Sequence, residues 1–565
     1  MDKKHIFFGV GSLLLAMVLM VTEMPKMQES PRAAPPAAVA TPLPDTQIQN
    51  FSSAPAASRG NSSTARLQND FVRAEIALVG GGVRSIALFN HAASRDSDDP
   101  WIFDDYDPLR DALTLTLRRG SHECCLSAVT FEIVESDSEH LLLRGKLDDG
   151  TSVERLYVLG KEEDGNDPYC FRQEVSLSES AVHWQNVDIS LGTLPPTAGD
   201  IGGTHLNFVT YSAGKTHFTP IGTFDGSKGF LGIGSRASCD VIRSDAKMDW
   251  VAIKNQFFAA ILTPRSPADS AHCVPVTLTD SQRGMGGAIT LPFSACENGY
   301  SVSFSYYVGP KEFLRLERLG LDQERIMQFG WFGFMSKLLL FLMMGIHSLI
   351  PNWGLTIILL TTIVKLMLWP LTTAQVRSMR AMAKLKDPLK RIQEKYKKNP
   401  QKSRLETMKL LKEHNVNPAA GCLPILIQIP IFLGLYYMLR SAAELRFASF
   451  LWMRDLSSCD TVGHLFGVAV NPLPILMAAT TFIQMRMGGA NSMEGSQKWV
   501  SNAMPFVFLF ICYNFPSGLV LYWTAQNVFT ILQQLVIQRR LNLAETQGGS
   551  NSKSAAKKRK HSRPD

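Results

Sequence analysis

Lys365 is the residue with the sharpest chemical consequence. It sits inside the apolar run 356–370, TIILLTTIVKLMLWP. A cation inside hydrocarbon is costly, so such a side chain faces a water-filled cavity or a partner. Thr361 and Thr362 precede it by four and three residues and share its helical face. A second reading is snorkelling: Pro370 lies about 8 Å further along the helix, and a lysine stem covers much of that distance. Other apolar runs carry amides and a phenol: Gln428, Gln484, Tyr522, Gln526, Asn527, Gln533 and Gln534. Gln526 with Gln533, and Asn527 with Gln534, repeat every seven residues and form one helical stripe. Single amides in such runs commonly join helices. A stripe of them together with a lysine favours a polar cavity.

Several chemistries are excluded. The apolar runs contain no Asp or Glu, which argues against a proton-relay transporter. No GxxxxGK[ST] loop occurs, and Gly232-Ile233-Gly234 is too short a match to suggest nucleotide binding. His122-Glu123-Cys124-Cys125 alternate between strand faces and make a poor metal set. No nucleophile–base pair stands out. The expectation is a non-enzyme with no catalytic residue, no metal and no cofactor.

The elements that hold these residues follow from hydropathy. Apolar segments run over 331–349, 353–371, 422–439, 472–487, 505–516 and 519–537, of which the fifth is short for a span of about twenty residues. Segment 331–349 is interrupted by Lys337 and His347 and reads either as a span or as a helix in the membrane surface. Charge sets the orientation. Segment 372–417 is dense in Lys and Arg, from Arg377 and Arg380 to Lys409 and Lys412, opposed only by Asp387, Glu394, Glu406 and Glu413. That excess makes it cytoplasmic. Pro388 and Asn399-Pro400 are expected to break it into two helices, with Met379, Met382 and Leu385 on one face. The basic tail 541–565, with Lys557-Lys558-Arg559-Lys560, is cytoplasmic by the same rule. Placing 331–349 on the outer surface reconciles both constraints with six spans; a full crossing there breaks the parity.

A polar half precedes this apolar half of the 565-residue chain, whose net charge is +7. Residues 1–22 hold Lys3 and Lys4 before the apolar run 6–21, which reads as a signal anchor or a cleaved signal peptide. Residues 23–65 are rich in Pro, Ala and Ser and read as a flexible linker. Residues 66–310 alternate apolar and polar residues in short runs, with turn signals at Gly80-Gly81-Gly82, Asp148-Asp149-Gly150 and Asp225-Gly226. This pattern predicts an exported all-β sandwich. Residues 311–349 follow as amphipathic or interfacial helices, and 350–540 as the helical core. Six of the nine cysteines fall in the exported half, where disulfides are permitted; their thiols read equally well as free and buried.

The motifs Asn352-Trp353-Gly354, Pro370-Leu371-Thr372, Asn417-Pro418, Gly421-Cys422-Leu423-Pro424, Gln428-Ile429-Pro430-Ile431-Phe432, Asp455-Leu456-Ser457 and Phe515-Pro516-Ser517-Gly518 resemble the YidC/Oxa/Albino family of membrane protein insertases. The β half resembles the exported domain of its Gram-negative members through 250–258 and 307–311, a domain of super-sandwich, sugar-mutarotase-like fold without known catalysis. The resemblance implies a multi-pass protein of the bacterial inner membrane with both termini cytoplasmic and the β domain periplasmic. It also implies an uncleaved first span, a surface helix at 331–349 and a five-helix core around a hydrophilic groove closed to the periplasm. Implied partners are nascent membrane proteins, the Sec translocon, membrane lipids and, through the basic hairpin and tail, the ribosome. No small-molecule substrate is implied. The family's groove usually carries arginine where Lys365 stands, so the charge is kept and the planar fork lost.

On this reading the groove holds Lys365, Thr361, Thr362, Gln428, Tyr522, Gln526 and Asn527, and a substrate's apolar segment slides past Ile425, Ile429, Phe432, Phe506 and Phe510. The alternatives are a small-solute transporter, which would show paired broken helices in two repeats, and a membrane-anchored carbohydrate-binding protein, which leaves five further spans without a purpose.

Overall fold

The structure, a computed structural model, describes residues 63–104, 111–162, 166–178, 184–197, 200, 202–226, 237–278, 283–296, 299–397, 399–414, 423–487 and 496–561. The expected signal anchor (1–22) and nearly all of the expected linker lie outside these residues. Two compact units result, one mainly β up to Gln328 and one mainly helical from Phe329 onward, 441–443 excepted.

The β unit is built from three antiparallel sheets among the described residues. The largest has ten strands. Its path runs through Lys215–Pro220, Asn207–Ser212, Trp250–Lys254, Phe258–Pro264, Gly299–Pro310, Cys170–Ser178, Ser152–Leu159, His140–Lys146 and Phe131–Ser136, with Ser294–Cys296 paired alongside Gly299–Pro310. A six-stranded and a four-stranded sheet complete the sandwich. Ser152–Leu159 and Cys170–Ser178 alternate buried and more exposed positions, as strands with one face on a core must. Trp250–Lys254 is buried at every position, as a central strand covered on both faces is. Arg155, fully buried on the former strand, donates to the carbonyls of Gly80 (3.0 Å) and Leu113 (2.6 Å). It thereby closes the Gly80–Gly81 turn, whose φ of 85° and 63° require glycine. The eight described cysteines are all free.

Ten α-helices occur among the described residues. The short α1 (Phe313–Leu319) ends the β unit and buries Phe313 and Leu316. In the helical unit, α2 (Gly333–Leu349) packs closely on α7 (Leu423–Ser441): buried Ser336 donates to the Gly434 carbonyl at 3.0 Å. Helix α3 (Trp353–Met367) starts at Asn352, whose side chain caps the Leu355 N–H at 2.9 Å. It does not continue straight to Leu371 as expected. The chain bends by 61° into α4 (Trp369–Lys384), because Pro370 has no N–H to give and its ring crowds the preceding turn.

Two short helices follow, α5 (Lys386–Lys395) and α6 (Pro400–Glu413). Pro388 does not break the chain as expected. It sits in the first turn of α5, where its missing N–H costs nothing, and the break falls at Leu385. Asn399-Pro400 does start a helix, the Asn399 side chain accepting from Lys402 N–H. Leu385 and Leu411 are buried together, flanked by Ala381, Met382 and Leu389, so this basic segment has a small core of its own. Helix α8 (Pro472–Met487) is followed by α9 (Ser496–Cys512), which contains Pro505 rather than beginning at it, and α10 (Ser517–His561). Among the described residues no single helix is long and apolar enough to cross a membrane; α3 with 369–378 passes that test only as a bent pair.

Candidate functional site: a polar relay between apolar helices

Three helices bring their polar residues together. Lys365 on α3 is half-buried, and its Nζ donates to Thr530 Oγ1 on α10 at 2.7 Å. Thr530 in turn donates to the Gln526 carbonyl at 2.6 Å. The Gln526 side-chain nitrogen donates to Gln428 Oε1 on α7 at 3.0 Å, and Gln428 Nε2 donates to the Tyr522 hydroxyl at 2.7 Å. A cation, a hydroxyl, two amides and a phenol thus form a ladder across α3, α10 and α7. Lys365 bonds across to another helix here, which a lysine reaching only for the membrane surface does not require.

The other predicted residues divide into distinct places. Asn527 faces α8, not the ladder. It is buried, and its Nδ2 lies 2.8 Å from Thr481 Oγ1, 3.1 Å from Thr480 Oγ1 and 3.3 Å from the Met477 carbonyl. Thr361 and Thr362 turn their hydroxyls back to their own helix, onto the carbonyls of Ile357 and Ile358. Gln533 and Gln534 are buried, and amide atoms of both, with Gln526 Oε1, have no hydrogen-bond partner in the protein. Of the apolar candidates, Phe506 and Phe510 on α9 are 68% and 87% exposed. Ile429 is half-buried. Phe432 is buried, its ring edge-on to Trp523 with centroids 4.8 Å apart, so the arrangement does not present it on a surface. The side chain of Ile425 lies outside the described residues.

Sequence reasoning passed over Thr530, Thr480 and Thr481. Thr530 carried a usable signal: it lies four residues after Gln526 and three before Gln533, on the same stripe. Thr480 and Thr481 read as ordinary residues of an apolar helix, and only the packing of α8 on α10 gives them a partner. No group of three or more His, Cys, Asp or Glu side chains suited to a metal ion occurs among the described residues.

Apolar helices enclosing a cation and a ladder of amides, carried in one chain with a large all-β unit, define a class: helical membrane proteins with an extramembrane β domain. Residues 345–545 match the family described as 60Kd inner membrane protein, and residues 202–342 match the YidC periplasmic domain. The membrane protein insertase YidC of Haemophilus influenzae is 30% identical over 524 residues, which span 88% of this chain and 92% of that protein. The same-named protein of a Janthinobacterium species is 29% identical over 563 residues, covering 96% of this chain and 95% of its own. A solved YidC insertase with its first transmembrane domain resolved matches at 19% identity and a TM-score of 0.34, over 84% of this chain and 94% of that one. The chain belongs to the YidC family of membrane protein insertases.

Proposed function

We propose that this chain inserts the hydrophobic segments of other proteins into the bacterial inner membrane, and that the ladder from Lys365 to Tyr522 forms one wall of a hydrophilic groove that receives the substrate's polar tail. The observation that carries this reading is the Lys365–Thr530 hydrogen bond, which holds a cation at the head of a polar ladder between apolar helices. Moving a polar tail through hydrocarbon costs several kcal/mol per unsatisfied group. A wet groove part-way into the bilayer shortens the dry path. The buried amide atoms of Gln526, Gln533 and Gln534 without protein partners support such a groove, because buried polar atoms are normally satisfied by protein or by water.

Lys365 attracts acidic residues of the incoming tail. At about 4 Å and an effective dielectric near 20, that attraction is about 4 kcal/mol before desolvation is subtracted. Phe506 and Phe510, exposed on α9, offer the apolar surface along which the following segment slides into lipid. The helices are short: α3, α8 and α9, at 15, 16 and 17 residues, measure about 22 to 26 Å against a hydrocarbon core of about 30 Å. Short spans thin the bilayer around them, which lowers the barrier further.

In this reading the full chain makes six spans, the first within 1–22. The β unit is periplasmic, α4–α6 and the tail are cytoplasmic, and α2 lies in the membrane surface. The small core of Leu385 and Leu411 supports a folded receiving platform rather than a loose basic loop. The Sec translocon and the ribosome are cooperating partners, the latter through phosphate contacts of the basic tail. The test is insertion of a single-span substrate into proteoliposomes that contain only this purified chain. Protease protection of the substrate's tail is the expected result. Protection that appears only when a translocon is added would overturn autonomous insertion.

A further inference from the structure

We propose that the hairpin of Gly463–Leu465 and Val468–Val470 is an interfacial anchor, its apolar tip docking into the headgroup–acyl boundary of the phospholipid bilayer that holds α7 and α8. The hairpin lies in the segment that joins these two helices. Its tip is apolar and open: Phe466 is 98% exposed, Leu465 and Val468 stand opposite each other just behind it, and Val462 is also exposed. From 461 to 471 there is no Asp, Glu, Lys or Arg. A hairpin that lives in water usually guards its edges with such charges.

The tip is held out by design of the backbone. Phe466 and Gly467 have φ of 51° and 80°, the left-handed pair of a tight hairpin turn. Glycine suits that conformation; phenylalanine does not, and asparagine or aspartate is the usual non-glycine choice. A strained aromatic at an exposed tip points to a contact that rewards it. The base, by contrast, is locked by polar groups. Asn471 is 1% exposed and donates to the Tyr513 carbonyl at 2.7 Å, while Tyr513 donates to the Ala469 carbonyl at 2.6 Å. Buried Asp460 accepts from the Leu473 N–H at 2.6 Å and from the Trp452 indole at 3.2 Å. Leu451, beside Trp452, is a second exposed apolar residue at positive φ.

Lipid is the occupant that fits. A few residues further along the chain, α8 also exposes the apolar side chains of Ile475 and Leu476. An uncharged aromatic tip matches the amphipathic boundary zone, where aromatic rings concentrate. A folded protein partner would be expected to meet some charge at the rim of this surface. The leaflet is the one opposite α5–α6, since α7 separates the two segments along the chain. The inference rests on α7 and α8 being membrane-embedded, so the test contains its own check on that point.

The photoreactive residue p-benzoylphenylalanine is placed at Phe466, at Ile475 or at exposed Glu135 of the β unit. Each purified full chain is irradiated in vesicles of phosphatidylethanolamine and phosphatidylglycerol, and its intact mass is measured. Phospholipid adducts are expected at 466 and 475 and not at 135. Adducts at 475 alone would overturn the anchor and leave the membrane reading standing; adducts at neither would remove the membrane reading itself. With a substrate being inserted, transfer of the 466 crosslink from lipid to substrate would also overturn the anchor. A second variant guards against distortion of the turn: Phe466→Asn keeps the favoured turn chemistry and should abolish lipid adducts formed from a probe at Val468.

Discussion

Gly354 offers a sharp test of how the segment between α7 and α8 seats on the helical unit. It lies in the first turn of α3, directly against Phe450. A Cβ built at Gly354 would stand 2.1 Å from Phe450 Cγ, 2.3 Å from Cδ2 and 2.5 Å from Cβ. Ordinary van der Waals contact begins near 3.4 Å, so Gly354→Ala demands a shift of about 1.3 Å. Turning the ring does not supply it, because the Cβ of Phe450 is itself too close. The Phe450 backbone is also pinned, exchanging two 2.9 Å hydrogen bonds with Met453. Overpacking of this kind costs about 1–3 kcal/mol. Alanine returns up to about 1 kcal/mol through helix propensity. A shift of about 1.3 Å against a pinned backbone lies at the upper end of the overpacking range, so the net loss is about 2 kcal/mol. The assay is thermal unfolding of the purified chain in detergent, where each kcal/mol lowers Tm by about 2–4 °C for a unit of this size. Phe450→Ala in the same chain removes the two ring contacts and leaves only the Cβ contact at 2.5 Å, so the double variant should lose less than the two single variants together. An unchanged or raised Tm for Gly354→Ala, or strict additivity in the double variant, would refute the close seating of Phe450 on α3.

Two further outcomes are expected. Asn527→Ala should loosen α10 from α8 by only about 0.6–1.7 kcal/mol, read as faster limited proteolysis, because Thr480 and Thr481 keep hydrogen bonds to their own helix; a loss several times larger would mean that Asn527 does more than join helices. An impermeant maleimide supplied from the periplasmic side should label exposed Cys125 and Cys296 at neutral pH but not Cys170, whose thiol burial pushes up to about 12 and so keeps out of its nucleophilic thiolate form; labelling of a cysteine placed at Lys397 under the same conditions would invert the proposed topology.

Much of the β unit was legible in the sequence because strand burial is a local, period-two property. The strands Val72–Ala77, His140–Lys146 and Gly299–Pro310 all fall within the stretch 66–310 that the alternation marked as β. The central strands were harder to bound, since Trp250–Lys254 is buried at every position and shows no alternation. Helix positions in the second unit followed from hydropathy, and Pro472–Met487 was read to the residue. Their ends did not follow so well. Proline acts differently by position: Pro370 bends the chain, Pro388 sits in the first turn of a helix, and Pro430 and Pro505 lie inside helices. Hydropathy alone does not separate these cases.

At the site, the residue types were legible and their pairing was not. Period and charge selected Lys365, Gln428, Tyr522 and Gln526. The link through Thr530 depends on how α3 meets α10, which no local pattern encodes. The same limit shows at two other residues. Asn527 shares the stripe of Gln526 in the sequence but faces α8, and Phe432 has the composition of an apolar wall yet is spent on packing against Trp523. The exposed tip at Phe466 left a signal that was available, an uncharged stretch with a Phe-Gly turn, though its meaning needed the locked base around Asp460 and Asn471.

The groove role of Lys365 is tested most directly by insertion of matched single-span substrates whose translocated tails carry zero, one or two acidic residues. Lys365→Arg should retain insertion throughout, because the charge stays. Lys365→Ala should leave the neutral tail nearly unaffected and reduce insertion more with each acid added, about 5- to 30-fold where 1–2 kcal/mol of attraction is lost. Lys365→Glu should be worst for the two-acid tail, through like-charge repulsion at low dielectric. Equal effects of Lys365→Ala across the three tails would contradict the account and reduce Lys365 to a helix-joining residue hydrogen-bonded to Thr530.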